Sequence, residues 1–236
     1  MLNNFKIVEM FKSFQGEGKN LGQPAIFIRF FGCNENCGFC DEPLHKDAGK
    51  IVIEGDAAEI VEKISPFLLE HSCGKDKDLN PLIIFTGGEP TLYNLPRLIY
   101  ALNASVVLPK FWYAVETNGS GKECLENLPS SVFVTISPKK VEHLAALNFR
   151  YFFGEVKIPL WKGGKDFFDS CLAVLCEKDL GGVDLWATPI NNKVVIDSNN
   201  NAFASRYVED VNKRWAEKLG KFVRLNVQAH KVWGVM

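Results

Sequence analysis

No run of like charge appears in this 236-residue sequence, and its formal net charge is −1. Proteins that grip nucleic acid by its phosphates carry a basic excess or stripe, so no direct nucleic-acid partner is expected. No apolar stretch approaches the ~18 uninterrupted residues of a membrane span. Residues 1–14 mix charges with apolar side chains and lack the continuous apolar centre of a secretory signal, which points to a cytoplasmic protein. Repeats, low-complexity tracts and linker-like stretches are missing too, so residues 1–236 read as a single domain. In a reducing compartment the seven cysteines are metal ligands or buried thiols, not disulfides.

What is present is an ordinary globular composition, 47 % hydrophobic and 23 % charged, on a chain long enough to bury a core without staples. Short runs rich in Val, Ile or Phe recur at 25–31, 82–86, 111–115, 132–136, 152–156 and 183–187. Continuous apolar runs of this length suit parallel strands buried on both faces. Between them lie segments with helical spacing. Asp56 followed by Glu59 resembles a capping box, with Ile60, Ile64, Phe67 and Leu68 on one face and Pro66 expected to kink or end that helix. Phe168, Leu172, Leu175 and Cys176 mark a second apolar face. Phe203, Tyr207, Val211, Trp215 and Leu219 mark a third, with Gly220 as its stop. The alternation predicts βαβ units. The expected fold is α/β, an incomplete (open) parallel β/α barrel of about six strands, with a flat doubly wound sheet as the alternative.

In such folds ligands bind at the carboxyl ends of the strands. The polar and glycine-rich groups fall there: Gly32-Cys33, Thr86-Gly87-Gly88-Glu89, Glu116-Thr117-Asn118-Gly119, Ser137-Pro138-Lys139, Lys157 and Thr188-Pro189. One of these rims carries the clearest chemistry. Cys33, Cys37 and Cys40 have the spacing C-x3-C-x2-C, so a short loop can bring three thiolates to one metal centre. Soft thiolates select iron–sulfur clusters, zinc or copper(I). On a four-iron cluster, three cysteines leave one iron open to an external ligand. The bland alternative is a zinc site with His45 as fourth ligand, although the chain has no second C-x2-C knuckle. Cys171 and Cys176 read as buried thiols, Cys124 as isolated, and Cys73 as a weak candidate ligand beside His71.

The cysteine spacing after a first strand, followed by Gly87-Gly88-Glu89 after the next, resembles the radical S-adenosylmethionine superfamily. Ser13-Phe14-Gln15-Gly16-Glu17-Gly18, Gly22, Pro24, Arg29, Glu116-Thr117-Asn118-Gly119, Ser137-Pro138-Lys139 and Gln228-Ala229-His230-Lys231 are similar to the 7-carboxy-7-deazaguanine synthase family, over nearly the whole chain. That resemblance implies a carbon–nitrogen lyase with a [4Fe–4S] cluster on Cys33, Cys37 and Cys40 and with S-adenosyl-L-methionine as radical source. Its reaction would be ring contraction of 6-carboxy-5,6,7,8-tetrahydropterin with loss of ammonia, in the biosynthesis of queuosine and other deazapurine nucleosides of tRNA. It also implies a homodimer and an electron-donor protein of flavodoxin or ferredoxin type.

The same resemblance suggests residue roles. Gly88, Glu89, Glu116, Ser137, Pro138, Lys139, Thr188, Pro189, Ile190 and Asn191 would border the S-adenosylmethionine. Phe14, Gln15, Gly16, Glu17, Arg29, Thr86, His230 and the terminal carboxylate of Met236 would meet the pterin, with Arg29 suited to its carboxylate. Where many members have a threonine that helps hold Mg²⁺, this chain has Glu42, an oxygen ligand that a hard cation accepts. Two other readings share parts of this evidence. A glycyl-radical-enzyme activator has the same cysteine spacing but no need of Gln15, Glu17 and Arg29. A non-catalytic zinc-binding module needs only the cysteines.

Overall fold

The computed structural model describes residues 1–40, 44–191 and 198–233. Its strands are β1 (Phe5–Phe14), β2 (Pro24–Phe30), β3 (Ile53–Gly55), β4 (Leu82–Gly87), β5 (Tyr113–Thr117), β6 (Phe133–Ile136), β7 (Phe153–Leu160), β8 (Asp184–Pro189) and β9 (Val223–Leu225). They form one nine-stranded mixed sheet in the order β3-β1-β2-β4-β5-β6-β7-β8-β9. From β2 through β9 every neighbouring pair is parallel. β1 lies antiparallel to both β2 and β3.

Each of the six apolar runs seeds one of the parallel strands. The other three strands have weaker patterns. β1 carries Lys6, Glu9 and Lys12 among its apolar residues, and β3 and β9 are each three residues long.

The helices are α1 (Ala57–Glu70), α2 (Leu95–Ala104), α3 (Lys122–Glu126), α4 (Val141–Ala145), α5 (Lys165–Cys176), α6 (Ser198–Leu219) and α7 (Ala229–Trp233). The capping box of α1 is complete, since Asp56 accepts from the Ala58 and Glu59 amides and Glu59 accepts from the Asp56 amide. Pro66 does not end this helix, which continues to Glu70. Ile60, Ile64 and Leu68 are fully buried on either side of it, and their burial, at about 1.5–3 kcal/mol per side chain, outweighs one lost backbone hydrogen bond. α6 stops where expected, with Gly220 at φ +66°, a conformation that costs glycine little.

Alternate residues of β2 and β4 feed different cores. Ile26, Ile28, Ile83 and Phe85 pack with α1 and α2, while Ala25, Phe27, Leu82 and Ile84 form a smaller cluster on the opposite face. A third cluster joins β6, β7 and β8 to α5 and α6. Cys124 and Cys171 belong to these cores, and burial pushes both thiols up to about 12. Cys176 is half-buried and Cys73 is exposed. No described helix is long and apolar enough to cross a membrane. Thr135 on β6 and Glu155 and Lys157 on β7 are buried too, so polar chemistry reaches onto one strand face as well as the strand ends.

Candidate active site

The carboxyl ends of the parallel strands surround a cavity of about 650 Å³. Cys33, Cys37 and Cys40 line it together, each half-buried. Residues between the cysteines fasten their loop to the sheet. Asn34 donates to Ser120 Oγ at 2.9 Å and accepts from Asn118 Nδ2 at 3.0 Å. Glu35 pairs with Lys140 at 2.9 Å and lies 3.4 Å from His143. Asn36 accepts from Lys46 at 2.8 Å, and the Phe39 ring sits 5.8 Å from that of Trp161.

The thiols of this loop favour a cationic centre. Burial, with Glu89, Cys37 and Cys40 nearby, raises Cys33 above its ordinary value. Burial, Cys40 and Glu35 raise Cys37, with Lys139 opposing. Thiols whose ionisation burial and neighbouring charge oppose, as at Cys33 and Cys37, become thiolates around positive charge, which an iron–sulfur core supplies. Among the described residues no three His, Cys, Asp or Glu side chains close around a single-ion position. A body of four irons and four sulfides is larger than one ion and holds its thiolates further apart. His45 is buried, lines the same cavity, and packs its ring against Gly88.

Two glycines lock this loop to β4. The Glu89 amide donates to the Gly32 carbonyl at 2.8 Å and the Gly88 amide to the Phe30 carbonyl at 3.2 Å. A Cβ on Gly88 would overlap the Gly32 carbonyl oxygen, and one on Gly87 would overlap the Phe30 backbone. The bare backbone of this pair therefore serves the approach of the cysteine loop. Glu89 stands behind the cavity wall and is fully buried. Its carboxylate accepts from the Thr91 amide and hydroxyl, from Thr117 Oγ1 at 2.6 Å and from the Asn118 amide at 2.7 Å.

The cavity floor holds a connected set of charges. Lys157 on β7 donates to Glu17 at 2.7 Å and lies 3.9 Å from Glu116. Glu116 also accepts from Gln15 at 3.0 Å and Thr86 at 2.9 Å. Glu17 accepts in addition from Gln228 at 3.0 Å and Asn226 at 3.3 Å. Burial works to raise the Glu17 carboxyl, but the charge and hydrogen bond of Lys157, with Gln228 and His230, outweigh it and hold the group at about 2. Glu155, beneath, accepts from Thr135 and the Lys19 amide, and its carboxyl is raised chiefly by burial.

Other sequence candidates take their places around this floor. Phe14, Gly16, Arg29 and His230 line the cavity. Gly16 has no room for a Cβ because the His230 ring occupies that space, and its carbonyl accepts from the Ala229 amide at 2.9 Å. Arg29 donates to Glu9 at 2.9 Å and lies over the Phe11 ring. Gly88, Ser137, Lys139, Thr188, Pro189, Ile190 and Asn191 form the remaining wall. Lys139 donates to Ser137 at 2.8 Å, Thr188 accepts from Asn226 at 3.1 Å, and Asn191 donates to Gln228 at 3.2 Å. Glu89 and Pro138 are not part of the lining. Glu42 and Met236 lie outside the described residues.

The structure adds residues that the sequence did not single out for a role, namely Glu9, Glu35, Asn118, Gln228 and Lys231 on the lining. Lys157 stood at a predicted strand end, but its ion pair with Glu17 spans 140 positions.

No protein-family profile matches the chain. The 7-carboxy-7-deazaguanine synthase of Haemophilus influenzae is 32 % identical over 176 residues, which cover 74 % of this chain and 68 % of that protein. The 7-carboxy-7-deazaguanine synthase of Bacteroides thetaiotaomicron is 37 % identical over 136 residues, 57 % of this chain and 61 % of that one. The crystal structure of QueE from Escherichia coli superposes with a TM-score of 0.66 over 96 % of this chain and 95 % of that chain at 22 % identity, which shows a shared fold. With its cysteine loop, glycine lock and charged floor in one cavity, and with these relatives, the chain belongs to the 7-carboxy-7-deazaguanine synthase family.

Proposed function

We propose that this chain is a radical S-adenosylmethionine carbon–nitrogen lyase that converts 6-carboxy-5,6,7,8-tetrahydropterin into 7-carboxy-7-deazaguanine with loss of ammonia. The product supplies queuosine and related deazapurine nucleosides. One observation carries the reading: the three cysteine thiols and the Gln15–Glu17–Glu116–Lys157 floor open into one cavity. When bound, the [4Fe–4S] cluster and S-adenosylmethionine would supply the one-electron chemistry that the ring contraction needs.

The chain's own residues bind and orient. Cys33, Cys37 and Cys40 hold the cluster. Gly88, Glu116, Ser137, Lys139, Thr188, Pro189, Ile190 and Asn191 border the methionine-derived cofactor, with Glu89 and Pro138 supporting that wall from behind. Gln15, Glu17 and Thr86 face the pterin's N–H and carbonyl groups, between Phe14, Gly16 and His230. Arg29 takes the pterin carboxylate while sharing its guanidinium with Glu9. Mg²⁺ on Glu42 and a substrate contact from the Met236 carboxylate belong to the same proposal.

We infer further that the sheet curls as an incomplete barrel within a single domain, residues 1–236. In a flat sheet β1 and β9, seven strands apart, would lie about 34 Å apart. The chain spans at most ~7 Å from Phe14 to Gly16 and ~14 Å from Leu225 to Ala229, yet the Ala229 amide donates to the Gly16 carbonyl at 2.9 Å. A cytoplasmic homodimer reduced by a flavodoxin- or ferredoxin-like protein completes the reading.

The test is anaerobic purification, measurement of iron, sulfide and zinc, then product analysis by mass spectrometry with reductant, S-adenosylmethionine and the pterin. About four irons per chain and 7-carboxy-7-deazaguanine are expected. Deoxyadenosine without the deazaguanine would remove this substrate and favour a glycyl-radical activator. Zinc without turnover would leave a metal-binding module.

A further inference from the structure

The cavity floor sets one hydrogen-bond donor beside one acceptor. Lys157 is 6 % exposed and lines the cavity. Its ammonium has three N–H groups. Among the described residues one acceptor lies within hydrogen-bond distance, Glu17 Oε2 at 2.7 Å. Glu116 stands at 3.9 Å, near enough for attraction but too far for a hydrogen bond. Glu155, the third carboxylate facing the lysine, is engaged with Thr135 and the Lys19 amide. A buried ammonium with unspent N–H groups is costly until an acceptor reaches it.

The protonation states are fixed. Glu17, held at about 2, is ionised at neutral pH and can only accept. Burial pulls Lys157 down, but Glu17, Glu116 and Glu155 together push it well above its ordinary value, so it can only donate. A donor and an acceptor 2.7 Å apart match a ring edge that sets an acceptor beside an N–H, and with the exocyclic group toward Lys157 that edge is a carbonyl next to a ring N–H. In that same register they oppose a 4-amino ring, which turns its NH₂ group toward Lys157 and a lone-pair nitrogen toward Glu17.

We propose that Lys157 is a specificity-determining residue that donates to a ring carbonyl while Glu17 accepts from the neighbouring ring N–H, so that the pair selects a lactam edge. This inference rests on the pterin reading and names the group that enforces it. Removing the donor should collapse the preference for oxo over amino rings. It should not disturb the thiol loop on the other side of the cavity.

The experiment titrates the cluster-loaded protein with fluorescent 6-carboxypterin and with 2,4-diaminopteridine-6-carboxylate. The wild-type protein is expected to prefer the oxo ring by roughly 100-fold or more. In Lys157→Met the preference should fall to within about threefold, with iron content and S-adenosylmethionine binding unchanged. Should that variant fail to fold, Glu17→Gln combined with Lys157→Met removes both charges together and is expected to show the same loss. Because the readout is a ratio between two ligands, a general weakening of the site does not move it. Retention of the wild-type preference in the folded variant would overturn the role of Lys157 and leave the pterin reading standing. Equal binding of both rings by the wild-type protein would overturn it too. Binding of neither ring would overturn the pterin reading, and this inference with it.

Discussion

Glu89 and Glu17 stand under the same cavity, but one is held by neutral donors and the other by a cation. Glu89 has no exposure and spends its carboxylate on Thr91, Thr117 and the Asn118 amide. It ties β4 to β5 and so supports the wall on which the cysteine loop rests. Glu17 keeps 15 % of its side chain exposed, pairs with Lys157 and faces the cavity. A carboxylate satisfied by amides and hydroxyls is structural mortar. One satisfied by a lysine that still has N–H groups to give forms part of a reading surface.

The largest expected effect tests the mortar side. Gly88→Ala puts a Cβ onto the Gly32 carbonyl oxygen, which is backbone and cannot step aside. Loss of iron loading is expected, with destabilisation above about 4 kcal/mol. Gly38, inside the same cysteine loop, has open space around its Cβ position, so Gly38→Ala should keep its iron. Equal iron content in the two variants would break the claim that β4 and the loop are locked through glycine. Next in size is Lys157→Met, which leaves Glu17 ionised and unpaired. A loss of about 3–5 kcal/mol in urea unfolding is expected, much of it recovered when Glu17→Gln is added. Failure of the second substitution to recover stability would show that the pair is not the unit it looks to be.

These two sides were unequally legible in the sequence. The parallel strands could be read because runs such as Leu82–Gly87 are buried on both faces and therefore continuously apolar. β1 could not, because its outer half alternates with charge and it pairs antiparallel beside the sheet edge. The cysteines, Gly87-Gly88 and Gln15-Gly16-Glu17 were legible as local motifs. What each motif does was less so. The glycines serve the neighbouring loop, and Gly16 is bare because the His230 ring fills its side-chain space. Partners such as Glu17 with Lys157, or Arg29 with Glu9, lie 140 and 20 positions apart and follow only from strand order.

A smaller effect sharpens the contrast. Glu89→Gln keeps the shape but turns an amide N–H toward a partner that itself donates, whichever way the amide faces. A loss of about 2 kcal/mol is expected, together with poorer iron loading, because the Asn118 segment that holds Asn34 would shift. The matching Glu17→Gln keeps an acceptor oxygen for Lys157, turns its amide N–H toward Gln228 Nε2, which itself donates, and removes a charge on the cavity floor rather than in the wall. It should load iron normally and lose pterin affinity instead. Were both variants to lose iron alike, the division between wall and floor would not hold.

The smallest effect is in acid and belongs to Glu17. Its folded value of about 2 lies below the ordinary 4.5, so the group's contribution to stability is fully present above 4.5 and disappears as pH falls through about 2. Urea unfolding measured in steps from about pH 5 to about pH 3 should therefore show the wild-type protein losing stability over that window. Glu17→Gln should show a shallower fall, because the substituted residue takes up no proton. Glu155 works with the opposite sign. Burial raises its carboxyl, so protonation as pH falls favours the folded state, and Glu155→Gln should show a steeper acid limb than the wild-type protein. Parallel acid limbs in all three proteins would mean that the floor charges are better solvated than their burial implies. The donor–acceptor pair facing the cavity would then lose the fixed protonation on which its selectivity depends.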